Sequence, residues 1–385
     1  MINKLKLHNF KSYKDELIEF SMLTVFCGNN SVGKSTAIQA ISVPIQSYFK
    51  STVALNGNLV ELGSLKDIHH QNADDTSLNI ELKINSGTIS WGFIDIDTQE
   101  SLSNKHLTAL VPTTIEMADE LEYITNNIQY LQAERYGPRV NYEIKKSDIF
   151  HKDWLGAKGE FTSEFLSQSD MSRRLFVGGT DNSKDTQIDP RLHPDEEKTS
   201  LNRQIDAWLK EISPGISVTP LLFEEASTSV NIFEQNGNKN LKSQNVGFGV
   251  SYALSIVTAL LSTRPGGLVI IENPEAHLHP RGQSYLGRLI ALTAQAEVQV
   301  IIETHSDHLI NGMRLMPRLN KVDCEKIKIY QVVADSTEKC SKVIPITVTA
   351  EGELSEWPTD FFDQQLIDMD ILMSGKEPEK ESGKK

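Results

Sequence analysis

The sequence predicts an α/β fold, a mixed and partly parallel sheet flanked by helices, with an inserted α+β region and a small C-terminal element. Three observations predict it. Gly28-Asn29-Asn30-Ser31-Val32-Gly33-Lys34-Ser35 fits G-x-x-x-x-G-K-[ST] and follows the apolar run Leu23-Thr24-Val25-Phe26-Cys27, as a strand feeding a phosphate-binding loop does. After residue 245, strand patterns alternate with helical ones, which implies parallel pairing through helical crossovers. Leu268-Val269-Ile270-Ile271-Glu272 is an apolar run ending in a carboxylate, the form of a buried strand that delivers an acid to the metal side of such a loop.

In chain order, residues 2–10 and 17–27 read as strands about a polar turn at 11–15, so a hairpin-like element precedes the loop. Ala37 to Ser42 read as the start of the following helix. Residues 78–84 and 88–96 alternate apolar and polar residues, as half-buried antiparallel strands do, with Gly87 at the turn. From about 101 to 245 the periodicity weakens. Helices are expected near 115–133 and 198–211, a strand pair near 216–234, and a solvated surface loop over 180–200. The core then runs through helix 250–262, strand 268–272, helix 281–294, strand 298–303, helix 306–316 and strand 327–333. This divides the chain into an N-terminal lobe carrying the phosphate loop (1–100), an insertion (101–245), a C-terminal lobe (246–345), a small C-terminal element (346–375) and a charged tail expected to be disordered (376–385).

The glycines of the loop allow backbone N–H groups to turn inward as an anion nest, and the helix after it adds its dipole. Asn29, Asn30, Ser31, Val32, Gly33, Lys34, Ser35 and Thr36 form the cradle for ATP. Lys34 reaches the β- and γ-phosphates, Ser35 ligates Mg²⁺, and Glu272 is the acid on the metal side.

A chain of 385 residues with 39% hydrophobic content can bury one large core or two modest ones. The net charge of −14 argues against a surface that coats nucleic acid, although local basic patches remain compatible with it. Cys27, Cys324 and Cys340 lack C-x-x-C spacing, which suits a reducing cytoplasm. The start Met1-Ile2-Asn3-Lys4-Leu5 lacks the apolar core of a signal peptide, and no apolar run approaches about 18 residues. A cytoplasmic protein with no membrane partner is expected. No repeat or sustained heptad points to a coiled-coil arm.

The segment Glu272-Asn273-Pro274-Glu275-Ala276-His277-Leu278-His279-Pro280 resembles the Walker B region of ABC-type ATPases. The likeness is strongest to the head domains of the structural-maintenance-of-chromosomes (SMC) and RecF type and to the overcoming-lysogenization-defect group. Asn9-Phe10-Lys11-Ser12-Tyr13, Glu134-Arg135-Tyr136-Gly137-Pro138-Arg139, Asn245-Val246-Gly247-Phe248-Gly249-Val250-Ser251 and Glu303-Thr304-His305-Ser306-Asp307-His308-Leu309 agree with that resemblance in order. Residues 352–363 resemble a small C-terminal domain found in one branch of these prokaryotic ATPases.

The resemblance implies an ABC-type P-loop ATPase head. It places Gly249 and Ser251 in the loop that caps ATP bound to a second subunit, hence a homodimer or higher homo-oligomer, and His305 at the switch histidine. Transporter-like relatives carry a catalytic Glu where this chain has Asn273. An amide orients water but does not take its proton, so Glu275 becomes the candidate base and hydrolysis is expected to be slow. The residues beyond His305 show no strand-borne Glu and D-x-D set of a TOPRIM nuclease. The resemblance therefore implies an ATPase whose effector is a separate nuclease or toxin, in prokaryotic genome or anti-phage defence. Two rivals stand beside it: a RecF-like DNA-repair ATPase acting directly on DNA, and an ATP-gated scaffold with little hydrolysis, for which Asn273 speaks.

Other constellations read as structural. His277 and His279, with His69 and His70, lack a third ligand at zinc spacing. Arg135 and Arg139 read equally as phosphate contacts or as buried ion pairs that fix a loop. Trp91, Trp154, Trp208 and Trp357 read as core, and Glu224-Glu225 and Asp195-Glu196-Glu197 as solvated faces.

Overall fold

Strands that are apolar on both faces must be covered on both sides, and such strands form the centre of the structure. The computed structural model describes residues 1–48, 50–93, 107, 112–145, 150–168, 188–356 and 364–375. In chain order the strands are β1 (Ile2–Phe10), β2 (Tyr13–Glu19), β3 (Leu23–Cys27), β4 (Leu78–Ile84), β5 (Gly87–Phe93), β6 (Ile128–Leu131), β7 (Tyr142–Glu143), β8 (Ile216–Phe223), β9 (Thr228–Gln235), β10 (Asn238–Lys242), β11 (Leu268–Glu272), β12 (Gln299–Glu303), β13 (Ile327–Asp335) and β14 (Cys340–Thr347).

The central sheet has the order β14-β13-β3-β12-β11-β6, and all its pairings are parallel except that of β14 with β13. Side chains alternate between its faces. Val25, Ile271 and Ile302 point into one core, covered by the helices Leu201–Ile212, Phe248–Ser262, Pro280–Gln295 and Asp307–Arg318; Phe26, Ile270 and Ile301 point into the other, under the helix Lys34–Ser47 and the antiparallel sheet β2-β1-β4-β5. A third, smaller sheet joins β7, β8, β9 and β10.

The expected helix 115–133 is two elements. The helix stops at Asn126, and Ile128–Leu131, buried at every position, pairs with β11 as an edge strand of the central sheet. The sheet thus recruits residues from within 101–245. The expected strand 17–27 also divides, into the end of β2 and the separate β3.

The region 180–200 departs from a solvated loop. Residues 180–187 lie outside the described residues, but Arg191 and Asp189 are buried and paired, with Nη2 to Oδ2 at 2.7 Å. Arg191 Nη1 also donates to the carbonyls of Leu260 and Thr263, at 3.0 and 2.7 Å. A guanidinium there satisfies carbonyls that the end of helix Phe248–Ser262 leaves without partners. Trp91, Trp154 and Trp208 are buried as expected, whereas Trp357 and the tail 376–385 lie outside the described residues.

The helices Pro280–Gln295 and Asp307–Arg318 pack backbone to backbone. A Cβ on Gly312 would stand 2.1 Å from the Ser284 carbonyl oxygen, and one on Gly287 2.2 Å from that of Leu309. Alanine normally stabilises a helix interior by about 1 kcal/mol over glycine, but here the added methyl must push two backbones apart. Gly312→Ala is expected to lower stability by about 1–3 kcal/mol, the usual scale of overpacking, in urea unfolding followed by circular dichroism. A gain in stability would show that the helices are not in such close contact.

Candidate functional site

The phosphate loop takes its shape from residues that tolerate unusual backbone angles. Gly28 and Gly33 have φ of 133° and 101°, and a Cβ on Gly28 would lie 2.3 Å from the Val332 carbonyl oxygen on β13. Only glycine fits there. Gly33 caps the helix, which begins at Lys34 rather than near Ala37, so the loop sits on the first-turn N–H groups and the positive end of the helix dipole. Asn29, Asn30 and Ser31 are exposed, while Val32 and Thr36 anchor the loop in the interior.

Lys34 is 3% exposed and folds back over the loop, with Nζ donating to the carbonyls of Gly28 at 3.1 Å and Asn29 at 2.6 Å. Burial pushes its ammonium below the ordinary lysine range, opposed by Glu303, whose Oε1 is 3.9 Å away. Ser35 Oγ donates to Glu303 Oε2 at 2.6 Å. Burial raises the Glu303 carboxyl above its usual range, with Glu272 and Glu275 adding to the effect; Ser35 and Lys34 oppose it.

Glu272 is turned to other partners. Its Oε1 accepts from the Tyr130 hydroxyl at 2.6 Å and its Oε2 from the Ala133 N–H at 3.1 Å. Glu275 accepts from the Thr304 hydroxyl at 2.8 Å and the His305 N–H at 2.7 Å. The His305 imidazole is pushed below its ordinary pKa by burial and by Lys34, opposed by Glu275. Asn273 has φ 44°, and its side-chain oxygen is buried with no hydrogen-bond partner among the described residues.

Arg135 is buried and fixes its loop, through three carbonyls instead of ion pairs: Nη1 donates to Gln132 at 2.7 Å and Glu272 at 2.6 Å, and Nη2 to Asn273 at 2.7 Å. Burial pushes its pKa down to about 10. Arg139 is exposed and stacks on the Tyr136 ring, 3.5 Å from its centroid.

Gly249 lies in the first turn of helix Phe248–Ser262, where a Cβ would stand 2.5 Å from the His277 carbonyl oxygen. The rings of Phe248 and Tyr252 pack on the His277 imidazole, with centroids at 5.6 and 4.9 Å. Phe248 is 58% exposed, and Asn245 and Gly247 beside it are exposed too, whereas Ser251 is buried, so Phe248 is the large side chain this segment turns outward.

A cavity of about 670 Å³ opens beside the loop, lined by Ser31, Lys34, Ser35 and Glu303 on one side and by Lys11, His70 and Lys339 on another. The His70 wall is pinned to the β1–β2 hairpin, since His70 N donates to the Asn9 carbonyl at 2.9 Å and Nδ1 meets that of Lys11 at 2.7 Å. No residue from 244–251 lines this cavity. His69, His70, His277 and His279 form no common metal-binding group; among the described residues the one such grouping is His193, Asp195 and Glu211, where Arg281 already holds Glu211 at 2.9 Å. Sequence reasoning passed over Glu303, Tyr130 and the Lys11 wall. The signal for Glu303 was present, since Gln299-Val300-Ile301-Ile302-Glu303 repeats the pattern of residues 268–272.

A family model described as AAA domain, putative AbiEii toxin, Type IV TA system, matches residues 23–311. A second, described as a protein of unknown function (DUF3696), matches residues 324–372, which include β13 and β14. No curated protein matches the chain. Among solved structures, an Smc head domain with an extended coiled coil, bound to the C-terminal domain of ScpA derived from Pyrococcus furiosus, is similar at 14% identity with a TM-score of 0.51, covering 90% of this chain and 96% of that one. The SMC head domain from Thermotoga maritima gives 13% and 0.45 over 90% and 99% of the two chains. An SmcHead bound to the C-winged helix domain of ScpA gives 17% and 0.49 over 90% and 97%. The first of these likenesses concerns the fold alone, that of an ABC-type head.

Arg135→Lys tests the loop anchor. One ammonium cannot reach three carbonyls as a planar fork does, and although the Asn273 carbonyl keeps the Ala276 N–H at 3.2 Å, a buried carbonyl left unpaired costs about 1–3 kcal/mol. A loss of about 2–3 kcal/mol in urea unfolding is expected, and a change within error would refute the anchoring role.

Proposed function

The chain belongs to this AAA-domain family, with an ABC-type P-loop ATPase fold, and from that premise we propose that it binds ATP with Mg²⁺, hydrolyses it slowly and self-associates in the bound state. Through that cycle it controls a separate effector, a nuclease or toxin, in prokaryotic genome or anti-phage defence in the cytoplasm. The observation that carries the reading is the meeting of the phosphate loop with Glu303, Glu275 and His305 at one edge of the central sheet.

The residues suit the ligands. Lys11, Lys34, Lys66 and Lys339 line one cavity in a chain of net charge −14, which fits a polyanion bound locally. The Ser35 hydroxyl and a neighbouring carboxylate are the hard oxygen donors that Mg²⁺ takes. When bound, Mg²⁺ would neutralise charge on the β- and γ-phosphate oxygens.

In this reading, residues 29–36 hold the phosphates and Lys34 exchanges the Gly28 and Asn29 carbonyls for phosphate oxygens. Glu275 takes the proton of the attacking water, Asn273 orients that water through its unpartnered oxygen, and His305 donates to the γ-phosphate. Gly249 and the helix entry around it act on the nucleotide of a second copy, because that segment is exposed at Phe248 and does not line its own cavity. Two composite sites then require two chains.

Two observations favour the scaffold reading, with little hydrolysis. Both Glu275 oxygens already accept hydrogen bonds, and Asn273 occupies the place next to Glu272.

Lys34→Ala is expected to abolish ATP binding in calorimetry; unchanged affinity would remove the basis of the reading. Glu275→Gln is expected to keep ATP affinity while slowing phosphate release by about 10² to 10⁴, the range for a lost general base. A parent-like rate in Glu275→Gln together with a slow Asn273→Ala would transfer water activation to Asn273. Phe248→Glu, at an exposed position, is expected to leave ATP affinity intact and prevent ATP-dependent dimers in light scattering. Dimers that persist would place the interface elsewhere.

A further inference from the structure

Resting on the nucleotide reading of the same cavity, we propose that Lys339, at the tip of the β13–β14 hairpin, binds the α- and β-phosphates. The region of unknown function matched over 324–372 then supplies one side of the nucleotide site. Backbone geometry is the first ground. Lys339 ends the four-residue turn 336–339 with φ 51°, a conformation that glycine or asparagine ordinarily fills in hairpin turns. The rest of the turn is tied down without it. Asp335 Oδ1 accepts from the N–H groups of Thr337 and Glu338 at 2.9 and 3.1 Å, and Glu338 holds Lys342 at 2.9 Å. Lys339 makes no hydrogen bond or ion pair among the described residues, and it lines the cavity. A strained residue that gains nothing from its own fold marks a functional position. The other lysine with positive φ among the described residues, Lys11 at 52°, lines the same cavity from the tip of the β1–β2 hairpin.

The packing of the hairpin on the phosphate loop is the second ground. Ser341 N donates to the Ser12 carbonyl at 2.7 Å, and Gly33 faces both residues: a Cβ there would stand 2.3 Å from Ser12 Oγ and 2.6 Å from Ser341 Oγ. Ser12 Oγ is in turn 3.5 Å from Thr36 Oγ1. Both glycines that the loop requires thus press on the 324–372 region, Gly28 on Val332 and Gly33 on Ser341. The hairpin meets the loop where Gly33 and Thr36 open the helix. N–H groups of such a turn cradle the α- and β-phosphates, whereas the loop lysine and hydroxyl reach towards the γ-phosphate and the metal. Lys339 therefore offers a mobile cation on a fixed turn at the α/β end of the site.

Calorimetry with ADP and with a non-hydrolysable ATP analogue, each with Mg²⁺, provides the test. Lys339→Gly is expected to weaken both about fivefold to tenfold, the lower end for a contact to a charged group. Its thermal midpoint should stay level or rise, because glycine relieves the turn; this second readout separates a binding residue from a structural one. Lys339→Arg keeps the charge and is expected to bind within about threefold of the parent. Lys328→Ala, on β13 but outside the cavity, is expected within about twofold, since an exposed charge that touches no ligand is screened. Parent-like affinity in Lys339→Gly would overturn the assignment. So would a loss confined to the ATP analogue, which would put the lysine at the γ-phosphate, or an equal loss in Lys328→Ala, which would reduce the effect to bulk charge. Should Lys339→Gly lower the midpoint, Lys339→Asn, which also accepts the turn, decides: the same loss supports the assignment and parent-like affinity overturns it. A parent that binds neither nucleotide would overturn the nucleotide reading itself, and the assignment with it.

Discussion

The parallel pairing of β3 with β12 is the constraint on which the site depends. Parallel neighbours end on the same edge, and the register that sets Glu303 level with Phe26 puts its side chain beside the loop that leaves β3. The contact with Ser35 follows from that register. A slip by one residue would turn Glu303 to the other face and remove the acid from the loop altogether. Burial on both faces fixes the register, because Ile301 and Ile302 each belong to a different core.

That arrangement crowds Glu303, buried, with Glu272 and Glu275, half-buried, at one sheet edge, and carboxylates drawn out of water are tolerated only when donors meet them. The donors are divided among them. Ser35 and Lys34 serve Glu303, Tyr130 and Ala133 serve Glu272, and Thr304 with His305 serves Glu275. Each acid therefore anchors a different segment: the phosphate loop, the loop after β6, and the turn after β12. Arg135 completes the set by taking carbonyls from Glu272 and Asn273, which holds the backbone where Asn273 adopts φ 44°.

Much of this fold was legible in the sequence, and the gaps have physical causes. The phosphate loop is local chemistry: glycine at φ of 133° and 101° and a lysine one residue later are required by the turn itself. The alternating strands β4 and β5 and the helices after residue 245 were legible because one-sided burial writes a period into the residues. β6 was not, because Ile128 to Leu131 are buried on both faces and follow an amphipathic helix with only Asn127, and no Gly or Pro, between them. Arg191 looked like loop charge because its partners are carbonyls of a helix end some 70 residues on. Glu303 and Glu272 end strands of nearly the same local pattern. Which of them neighbours β3 is a property of sheet order, and sheet order is set by long-range packing that no local window contains.

The balance of charge supports a bound nucleotide over a nucleic-acid polymer. A net charge of −14 opposes the approach of any polyanion, but at physiological ionic strength charges more than about 8 Å away are largely screened. What a triphosphate feels inside the cavity is then set by Lys11, Lys34, Lys66 and Lys339 against Asp67 and Glu303, together with the helix N-terminus beneath Gly33. A duplex would need positive charge spread along a surface, since its affinity comes from many phosphate contacts made at once. Four lysines gathered in one cavity, with only Asp67 and Glu303 as carboxylates among the residues lining it, match a short, compact anion better than a polymer.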